Sequence, residues 1–391
     1  MRVSLITLDG LFPPAHGGAH VLQMIAQGLA ELGHDVSCLI RLADEDASDL
    51  TDQTVAGLAA SGLRYSRSSS GVVRFKSGAL SGAGVIDAGG RFLPFVLSEL
   101  RRTGAETVIM SDIGGRPAHT LLSVIAERFT GMLVYAPQTV HFLPGGPLAV
   151  QADPAATKAM RLCRVVVPSQ YLAAYLRQHL GIAARVNLPP LFALSEVPPR
   201  PQPFGGPVGV FNPNTWKGLP ILLALADRRP DLQFLVRCGW RTLHTERDAL
   251  SQRGNVIIED HSHDGGTVYD QASIILVPSL CYESLGLVSI EAMLRGLPVV
   301  SARHGGLAEA GLGTAVLCTA VPIVFEDDRK NPGGHVRQHV PEQPLDDWLA
   351  AIDRLTNDRA WYEQRARHAI IRSHAFARSL TWESTERSFL G

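Results

Sequence analysis

The chain has 391 residues, which is too long for one ordinary core and suits two domains of about 150 to 200 residues each. Its hydrophobic content of 46% and charged content of 19% are typical of a well-buried globular protein and exclude a disordered chain. The formal net charge of -1 argues against a dedicated nucleic-acid-binding protein, because a groove for nucleic acid would give a basic excess.

Cysteine usage and hydropathy indicate the compartment. The 5 cysteines are an odd number and form no C-x-x-C pair, which argues against a disulfide framework or a zinc ribbon. The first apolar run, Val3 to Leu8, is too short for the core of a signal peptide. No apolar run reaches the roughly 18 residues that a membrane-spanning helix needs. We therefore expect a cytoplasmic protein with no stable membrane insertion.

The first half of the chain alternates apolar runs with helical patterns, which predicts a parallel sheet covered by helices on both faces. Val3 to Leu8 is the first predicted strand. The helix after it ends before Gly33, a typical C-terminal cap, and has one apolar face formed by Val21, Leu22, Ile25, Leu29 and Leu32. Further strands are predicted at 35–42, 107–111, 131–136 and 164–168.

A proline-rich segment divides the chain. Between Asn187 and Pro207 prolines occupy positions 189, 190, 198, 199, 201, 203 and 207, a density that predicts a semi-rigid linker. The strand–helix alternation then restarts, with strands predicted at 208–212, 233–237, 255–259, 273–277 and 298–301. A polar segment at 323–344 is predicted to be a surface insertion, and the tail at 346–390 has helical spacing.

The predicted fold class is therefore α/β, with two doubly wound domains. We assign residues 1–188 to an N-terminal domain, 189–207 to the linker and 208–365 to a C-terminal domain. Residues 366–391 are predicted to form a C-terminal helix that packs back toward the N-terminal domain.

The most informative segment runs from Pro278 to Met293. It leads from an apolar strand through a glycine-bearing loop into a helix, and Glu283 and Glu291 flank the start of that helix. A helix N-terminus attracts phosphate through unpaired N–H groups and the helix dipole. A carboxylate inside the helix can accept hydrogen bonds from vicinal hydroxyls, such as those of a ribose. The segment therefore predicts a cradle for a nucleoside diphosphate.

This region resembles the retaining glycosyltransferases of GT-B architecture that carry an E-x7-E signature, which are family 4-like members of group 1. The matching features are Lys217-Gly218, Pro278-Ser279, Glu283, Gly286-Leu287, Glu291-Ala292-Met293, Gly296-Leu297-Pro298-Val299-Val300 and Gly305-Gly306-Leu307-Ala308-Glu309. The N-terminal half matches more loosely, through Gly17-Gly18, His141 and Pro168-Ser169.

The resemblance implies a fold and a reaction. The fold would be two Rossmann-like domains facing a central cleft, with a nucleotide-sugar donor on the C-terminal domain and the acceptor on the N-terminal one. The reaction would retain the anomeric configuration and need no essential metal and no cofactor, since the nucleotide-diphosphate sugar is itself the co-substrate.

Donor-binding roles follow for the residues around the helix start. Glu291 would accept hydrogen bonds from the ribose. The alternative is that it is a solvent-facing glutamate of the helix with no role in binding. Glu283 would hold a sugar hydroxyl and offset positive charge developing at the anomeric carbon. The backbone N–H groups of Gly286, Leu287 and Val288 would bind the diphosphate.

Cations for the leaving diphosphate form a second set. Lys217, one of only four lysines, would neutralise the departing phosphate in place of a metal. The family often has an arginine about five residues before this lysine, whereas this chain has Asn212. Arg237 and Arg241 are the nearest candidates by chain order for the second cation.

The N-terminal half contributes three candidates. Gly17 and Gly18 lie between the first strand and the first helix, where a loop could close over the donor phosphate or serve as a plain turn. His141 follows a predicted strand and would bind a donor-sugar hydroxyl or orient the acceptor, against the alternative of a structural histidine.

Several other features do not predict a site. Asp44-Glu45-Asp46 spells a D-x-D metal motif but fits an acidic surface loop, and Asp327-Asp328 lies in the polar insertion. His261, His263 and Asp264 lack a matched set of metal ligands, so no metal site is predicted. The loop after the first strand lacks G-x-G-x-x-G, which argues against a dinucleotide-dependent dehydrogenase.

The predicted function is transfer of a sugar from a UDP- or GDP-sugar to an acceptor hydroxyl with retention, onto a soluble small molecule. No carboxylate pair convincingly supplies a double displacement, so a front-face mechanism fits better. Two alternatives stay open: a nucleotide-sugar epimerase or hydrolase of the same architecture, and a non-catalytic nucleotide-sugar-binding protein. The base, the sugar, the acceptor and the oligomeric state are not predicted by the sequence.

Overall fold

The structure is a computed structural model. It describes residues 1–8, 10–12, 14, 16–42, 57–68, 71–85, 90–112, 115–150, 152–192, 194, 204–239, 242–259, 266–327 and 336–391. Several positions singled out in the sequence lie outside the described residues, namely Asp44, Glu45, Asp46, Arg241, His261, His263, Asp264, Asp328 and most of the linker prolines.

The chain forms two compact units. The N-terminal unit contains Met1–Leu191 and also Leu380–Gly391, and the C-terminal unit contains Phe192–Ser379. The sequence pattern predicts a returning helix over residues 366–391, whereas in the structure only the segment from Leu380 belongs to the N-terminal unit.

The N-terminal unit has a nine-stranded sheet in the order β3-β4-β5-β2-β1-β6-β7-β8-β9. Its strands are β1 (Arg2–Thr7), β2 (Asp35–Arg41), β3 (Arg64–Arg67), β4 (Val73–Ser77), β5 (Leu80–Val85), β6 (Thr107–Met110), β7 (Met132–Tyr135), β8 (Arg164–Val167) and β9 (Arg185–Val186). All neighbours pair in parallel except β3 with β4 and β4 with β5. The helices in this part are α1 (Gly17–Glu31), α2 (Phe92–Thr103), α3 (Arg116–Arg128), α4 (Pro154–Met160) and α5 (Gln170–Leu180).

Helix α1 shows how the apolar pattern forms the core. Val21, Leu22, Ile25 and Leu29 are buried as predicted, whereas Leu32 is 41% exposed because the helix ends at Glu31. Gly33 has a φ of +89°, a conformation that favours glycine and suits a helix C-terminus.

The sequence predicts no strand between residues 42 and 107, whereas the structure has β3, β4 and β5 in this part of the chain. The glycines of β5 weaken its strand signal, and they have a packing reason. A side chain at Gly82 would overlap the ring of Phe75 on the neighbouring strand. The sheet therefore uses glycine there to make room for a buried aromatic ring.

The C-terminal unit has a six-stranded parallel sheet in the order β12-β11-β10-β13-β14-β15. Its strands are β10 (Val208–Phe211), β11 (Phe234–Arg237), β12 (Val256–Glu259), β13 (Ile274–Val277), β14 (Val299–Ala302) and β15 (Val316–Cys318). Its helices are α6 (Leu219–Arg228), α7 (His244–Ser251), α8 (Gly266–Gln271), α9 (Leu287–Leu294), α10 (Leu307–Ala310), α11 (Asp346–Asn357) and α12 (Arg359–Ser379).

The polar insertion contains regular structure, which the sequence analysis did not predict. Strands β16 (Val324–Asp327) and β17 (Val336–His339) pair antiparallel as a separate two-stranded sheet. Phe325 packs on Trp216, with ring centroids 5.1 Å apart, and the indole N–H of Trp216 donates to Gln338 at 2.8 Å. Strands β16 and β17 thus contact Trp216, the residue next to Lys217 in the chain.

The last helix, α13 (Trp382–Phe389), belongs to the N-terminal unit. Thr381 caps it by accepting from the Ser384 N–H at 3.1 Å, so a new helix begins where α12 has ended. Phe389 is 2% exposed, and Trp382 covers Gly28 of α1, where any side chain would overlap the indole.

Candidate donor-binding and catalytic site

Most of the candidate donor residues lie where parallel strands of the C-terminal unit end. Asn212 follows β10, the segment 278–286 follows β13, and the segment 303–306 follows β14. These three strands are neighbours or next neighbours in the sheet, and their carboxyl ends meet at one edge. Open parallel sheets bind their ligands at this edge, so the fold brings the predicted residues to a binding position.

The loop that carries Lys217 is built by side-chain caps. Asn214 accepts from the N–H groups of Trp216 and Lys217 at 3.0 and 3.1 Å, which starts a single 3-10 turn at Thr215–Lys217. The Glu246 carboxylate accepts from the N–H and the hydroxyl of Thr215 at 2.8 and 2.9 Å. These bonds hold the backbone of Lys217 in one place.

Gly218 lets this loop approach the loop after strand β13. Its φ is +85°, and a Cβ there would overlap the carbonyl oxygen of Pro278. The carbonyl of Trp216 accepts from the N–H groups of Leu280 and Cys281 at 2.8 and 3.1 Å. The two loops are therefore joined by backbone contacts, and only glycine fits at the closest approach.

Lys217 and Glu283 form the centre of the site. The Lys217 ammonium binds the Oε1 atom of Glu283, and the Ser279 hydroxyl donates to the same oxygen at 2.7 Å. The Lys217 side chain is 35% exposed and that of Glu283 is 17% exposed. A cation and a carboxylate, both predicted to contact the donor, are thus held together at a partly open surface.

The helix after this loop begins at a glycine cap beside the Lys217–Glu283 pair. Gly286 caps α9 with a φ of +106°, and a Cβ there would approach Leu307 at 2.6 Å. Leu287 and Val288 occupy the first turn and are partly exposed, so their N–H groups lie at the positive end of the helix dipole. This geometry is compatible with the predicted diphosphate contact.

Glu291 lies one turn further along α9. Its Oε2 atom accepts from the Tyr269 hydroxyl at 2.7 Å, and its side chain is partly exposed. Arg295 donates to the backbone carbonyl of Glu291 at 3.0 Å and lies over the Tyr269 ring at 4.4 Å. Tyr269 is a partner that the sequence analysis missed, because nothing local relates two residues on different helices.

The position of the missing arginine has a structural role. Asn212 has a φ of +48°, donates its N–H to the Arg237 carbonyl at 2.7 Å and accepts from the Thr242 hydroxyl at 3.4 Å. Asparagine tolerates this left-handed conformation better than most residues. Arg237, the substitute cation proposed from the sequence, is only 5% exposed and lies 3.8 Å from the Glu259 carboxylate.

His304 is a second residue that the sequence analysis missed. Its Nε2 atom lies 3.2 Å from the Cys281 carbonyl, and its ring packs on Tyr282 with centroids 5.0 Å apart. Burial lowers its pKa, which nearby Glu283 and backbone carbonyls partly offset. In its neutral form, the His304 ring therefore supports the loop that carries Glu283. In the sequence, the Arg303-His304-Gly305-Gly306 run after β14 could have indicated His304.

In the N-terminal unit, the predicted glycines follow β1 in the chain and lie at the start of α1. Gly17 and Gly18 begin α1, and His16 caps this helix by accepting from the Ala19 N–H at 3.2 Å. His141 lies in a 3-10 turn after β7, is 3% exposed and has its Nδ1 atom 3.1 Å from the Leu148 carbonyl. Since a carbonyl only accepts, Nδ1 carries the proton, and Nε2 of the neutral ring is the acceptor nitrogen.

Asp112, at the end of β6, is a buried carboxylate that the sequence analysis missed. It is fully buried and accepts from the N–H groups of Gln138 and Thr139 at 2.6 and 3.0 Å. Burial raises its pKa to about 7, partly opposed by those hydrogen bonds and by His16. An acidic residue directly after a buried parallel strand was the signal that could have found it.

A cavity of about 300 Å³ lies beside His141 in the N-terminal unit, where His119 and the start of α3 also line it. Within the described ranges there is no cluster of three or more His, Cys, Asp or Glu side chains that could hold a metal. Nor does any helix in that part of the chain have the length and apolarity needed to cross a bilayer.

Comparison with known proteins gives a family match for most of the C-terminal unit. Residues 208–358 match the family described as Glycosyl transferases group 1. A D-inositol 3-phosphate glycosyltransferase of Corynebacterium kroppenstedtii is 37% identical over 95 residues, a segment that covers 24% of this chain and only 16% of that relative.

Two solved structures resemble the whole chain. Sucrose-phosphate synthase from Thermosynechococcus elongatus has a TM-score of 0.70 at 18% identity, and the match covers 98% of this chain and 96% of that one. Anabaena HepE, in complex with UDP-glucose, has a TM-score of 0.65 at 16% identity and covers 100% and 98% of the two chains.

These findings define the class. The chain has the α/β GT-B fold of the glycosyltransferases, and its residues 208–358 match the family of group 1 glycosyl transferases. The resemblance seen in the sequence to group 1 GT-B enzymes is thereby confirmed.

Proposed function

We propose that the chain is a retaining glycosyltransferase that moves a sugar from a nucleotide-diphosphate donor, a UDP- or GDP-sugar, to a hydroxyl of a small-molecule acceptor. The observation that carries this proposal is the convergence, at one edge of the C-terminal sheet, of the Lys217–Glu283 pair, the α9 N-terminus and Glu291. A cation, an anion-binding helix end and a hydroxyl-binding carboxylate are what a nucleotide sugar needs.

The proposed chemistry is a front-face displacement. The acceptor oxygen bonds to the anomeric carbon while the bond from that carbon to the diphosphate oxygen breaks, and the bonding electrons stay with the diphosphate. The acceptor proton passes to a phosphate oxygen on the same face, which retains the configuration. Glu283 already binds Lys217 and Ser279, so it is better placed to stabilise positive charge than to act as a covalent nucleophile.

Each residue then has a separate task. Lys217 and the first N–H groups of α9 stabilise the charge that develops on the leaving diphosphate, so that this proposal requires no metal or other cofactor. Glu291 holds the nucleoside through its ribose hydroxyls. His141, with an acceptor nitrogen at Nε2, binds a hydroxyl of the donor sugar or the acceptor.

Relatives support the substrate class. HepE was solved with UDP-glucose, and the Corynebacterium relative is named for a phosphorylated polyol, both of which fit a nucleotide-sugar donor and a polar small acceptor. We place the activity in the cytoplasm, in agreement with five cysteines that are all free in the structure.

The test is turnover of UDP- and GDP-sugars with a panel of hydroxyl acceptors, with products identified by mass spectrometry and their anomeric configuration by NMR. Glu291→Ala should raise the donor KM about tenfold or more, since a hydrogen-bonded carboxylate contributes about 1.5–3 kcal/mol. Glu363→Ala, which removes an exposed carboxylate of α12, is the matched control.

Other outcomes have distinct meanings. Donor conversion without acceptor would favour an epimerase or hydrolase, and nucleotide binding without turnover would favour a binding protein. An inverted product would refute retention, and full donor affinity in Glu291→Ala would refute the proposed site.

A further inference from the structure

Tyr269 lies beneath the candidate ribose carboxylate and is surrounded on several sides. It belongs to α8, directly before β13, and is 3% exposed. Its ring centroid is 4.5 Å from that of Phe211, the last residue of β10, and the Arg295 guanidinium lies on it at 4.4 Å. These contacts leave the tyrosine little freedom to change its rotamer.

The hydroxyl of Tyr269 forms a hydrogen bond with the Glu291 carboxylate. It donates to Oε2 of Glu291 at 2.7 Å, which is a short, charge-assisted hydrogen bond. Burial and the Glu291 carboxylate raise the pKa of Tyr269 well above its ordinary value, so the hydroxyl keeps its proton and acts as a donor at any working pH.

The second oxygen of the same carboxylate is available. Among the residues that the structure describes, none donates a hydrogen bond to Glu291 Oε1, and Arg295 donates to the backbone carbonyl instead. Glu291 is partly exposed, and its Oε2 atom is already bound by Tyr269, so we expect a ligand to reach the carboxylate at Oε1. Oε2 is thus held by the Tyr269 hydroxyl, and Oε1 is left to accept a hydrogen bond from a ligand.

We propose that Tyr269 is a positioning residue for donor binding, which fixes the Glu291 carboxylate so that its other oxygen accepts from the hydroxyls of a bound nucleoside. The proposal rests on the proposed function, because it requires Glu291 to contact the ribose. A glutamate with three rotatable bonds would otherwise lose side-chain entropy when a ligand orders it, and the buried tyrosine removes part of that cost in advance.

The experiment measures dissociation constants of the full chain for UDP and GDP and for their 2′-deoxy counterparts. The wild type should bind the preferred ribonucleotide about tenfold more tightly than its deoxy form, as expected for one hydrogen bond to a charged group. Tyr269→Phe removes only the oxygen and should reduce this ratio to about threefold or less. Binding of the deoxy form should change little.

Tyr362→Phe is the matched control. Tyr362 is equally buried in the same unit, and its hydroxyl donates to the Ser273 carbonyl at 3.0 Å, at the opposite end of β13 from the candidate site. Its loss should lower stability without changing the ribose-to-deoxyribose ratio. In steady-state kinetics, Tyr269→Phe should raise the donor KM and leave kcat within about twofold, since the ribose is remote from the bond that breaks.

The outcomes separate this inference from the function on which it rests. A wild type that binds no nucleotide, or that does not distinguish ribose from deoxyribose, overturns both the use of Glu291 and the role of Tyr269. A wild type that discriminates and a Tyr269→Phe variant that discriminates equally overturn the inference alone. If Tyr269→Phe is destabilised, its dissociation constants are measured at a lower temperature at which circular dichroism shows it folded, and a ribose-to-deoxyribose ratio equal to that of the wild type there overturns the inference.

Discussion

Asp112 is a residue whose environment sets a measurable pH dependence. It is buried, binds two backbone N–H groups, and is acted on electrostatically by the imidazole of His16. Burial raises its pKa to about 7 in the folded state, against an ordinary value of 3.8. Folding therefore keeps a proton on this group that the unfolded chain releases.

The expected result concerns the free energy of unfolding between about pH 4 and pH 7. With a raised folded pKa, the contribution of Asp112 is most favourable below pH 4, falls as the pH rises to about 7, and is constant above that. The asparagine of Asp112→Asn does not titrate, so the free energy of unfolding of this variant lacks this decrease. Its free energy of unfolding minus that of the wild type should therefore increase with pH, by up to about 1.4 kcal/mol per unit.

Denaturant unfolding of both proteins at pH 4, 5.5, 7 and 8 measures this difference, and Asp35→Asn, at an exposed position of the same unit, is the control. Asparagine also loses one acceptor for a backbone N–H, which adds an offset that does not depend on pH. A difference that stays flat or decreases over this range would contradict a protonated Asp112.

At the residue scale, the sequence could predict positions but not partners. Lys217, Glu283 and Glu291 were singled out by the spacing of a family motif around a strand end and a helix start, and the structure brings Lys217 and Glu283 together. The Ser279 bond to Glu283 and the Tyr269 bond to Glu291 depend on side-chain directions across separate elements, which no local pattern encodes. Asn212 stands where the family often has an arginine and was predicted from the sequence to contact the donor, and its φ of +48° also gives it a structural role.

Gly218 is the point at which two loop elements approach most closely. Gly218→Ala should lower the free energy of unfolding by about 3 kcal/mol or more, since the new Cβ meets the Pro278 carbonyl and the positive φ adds about 1–2 kcal/mol. Because Lys217 and Glu283 lie on the two loops, activity should fall more than stability explains.

Gly313→Ala is the control for this prediction. Gly313 lies in the same unit with a φ of +72° and has open space where the new methyl group would lie, so only the conformational cost of about 1–2 kcal/mol applies. Thermal and denaturant unfolding compare the two variants. Equal losses of stability would show that the approach to Pro278 does not constrain the loops.

At the element scale, the buried parallel strands were predictable because each is a short apolar run bounded by turn residues. Strand β5 was not, since Gly82 makes room for Phe75 and Gly84 for Leu42 and Ile40, and these glycines give no strand signal. The antiparallel pair β16 and β17 was not predicted either, because contacts with a distant part of the chain contribute to it. Part of its stabilisation comes from the contacts of Phe325 and Gln338 with Trp216, more than a hundred positions away in the chain.

At the scale of the molecule, the N-terminal unit depends on the end of the chain. Phe389→Ala removes a side chain that is 2% exposed and should destabilise this unit by about 3–5 kcal/mol. Hydrogen exchange should show faster opening of amides in α1 and β8, which α13 contacts, with the C-terminal unit unaffected.

Ile371→Ala, at a position that is 63% exposed on α12, is the control and should change stability by less than about 0.5 kcal/mol. Faster exchange throughout both units in Phe389→Ala would contradict the assignment of this helix to the N-terminal unit alone.

The division into two halves could be predicted from the prolines, and the return of the chain could be predicted in outline. The point of return could not, because residues 366–391 all have helical character. What decides it is the Thr381 cap and the burial of Ala369, Ser373 and Ala377 on α12 within the C-terminal unit.

The discontinuity of the N-terminal unit has a consequence for biosynthesis. Translation delivers Met1–Leu191 before Phe192–Ser379, and the helix that covers Gly28 follows only after both. The continuous C-terminal half can fold as soon as it emerges, whereas the first half must wait with an uncovered apolar patch. Chimeric enzymes that exchange halves should accordingly take the final segment from the same parent as the opening one.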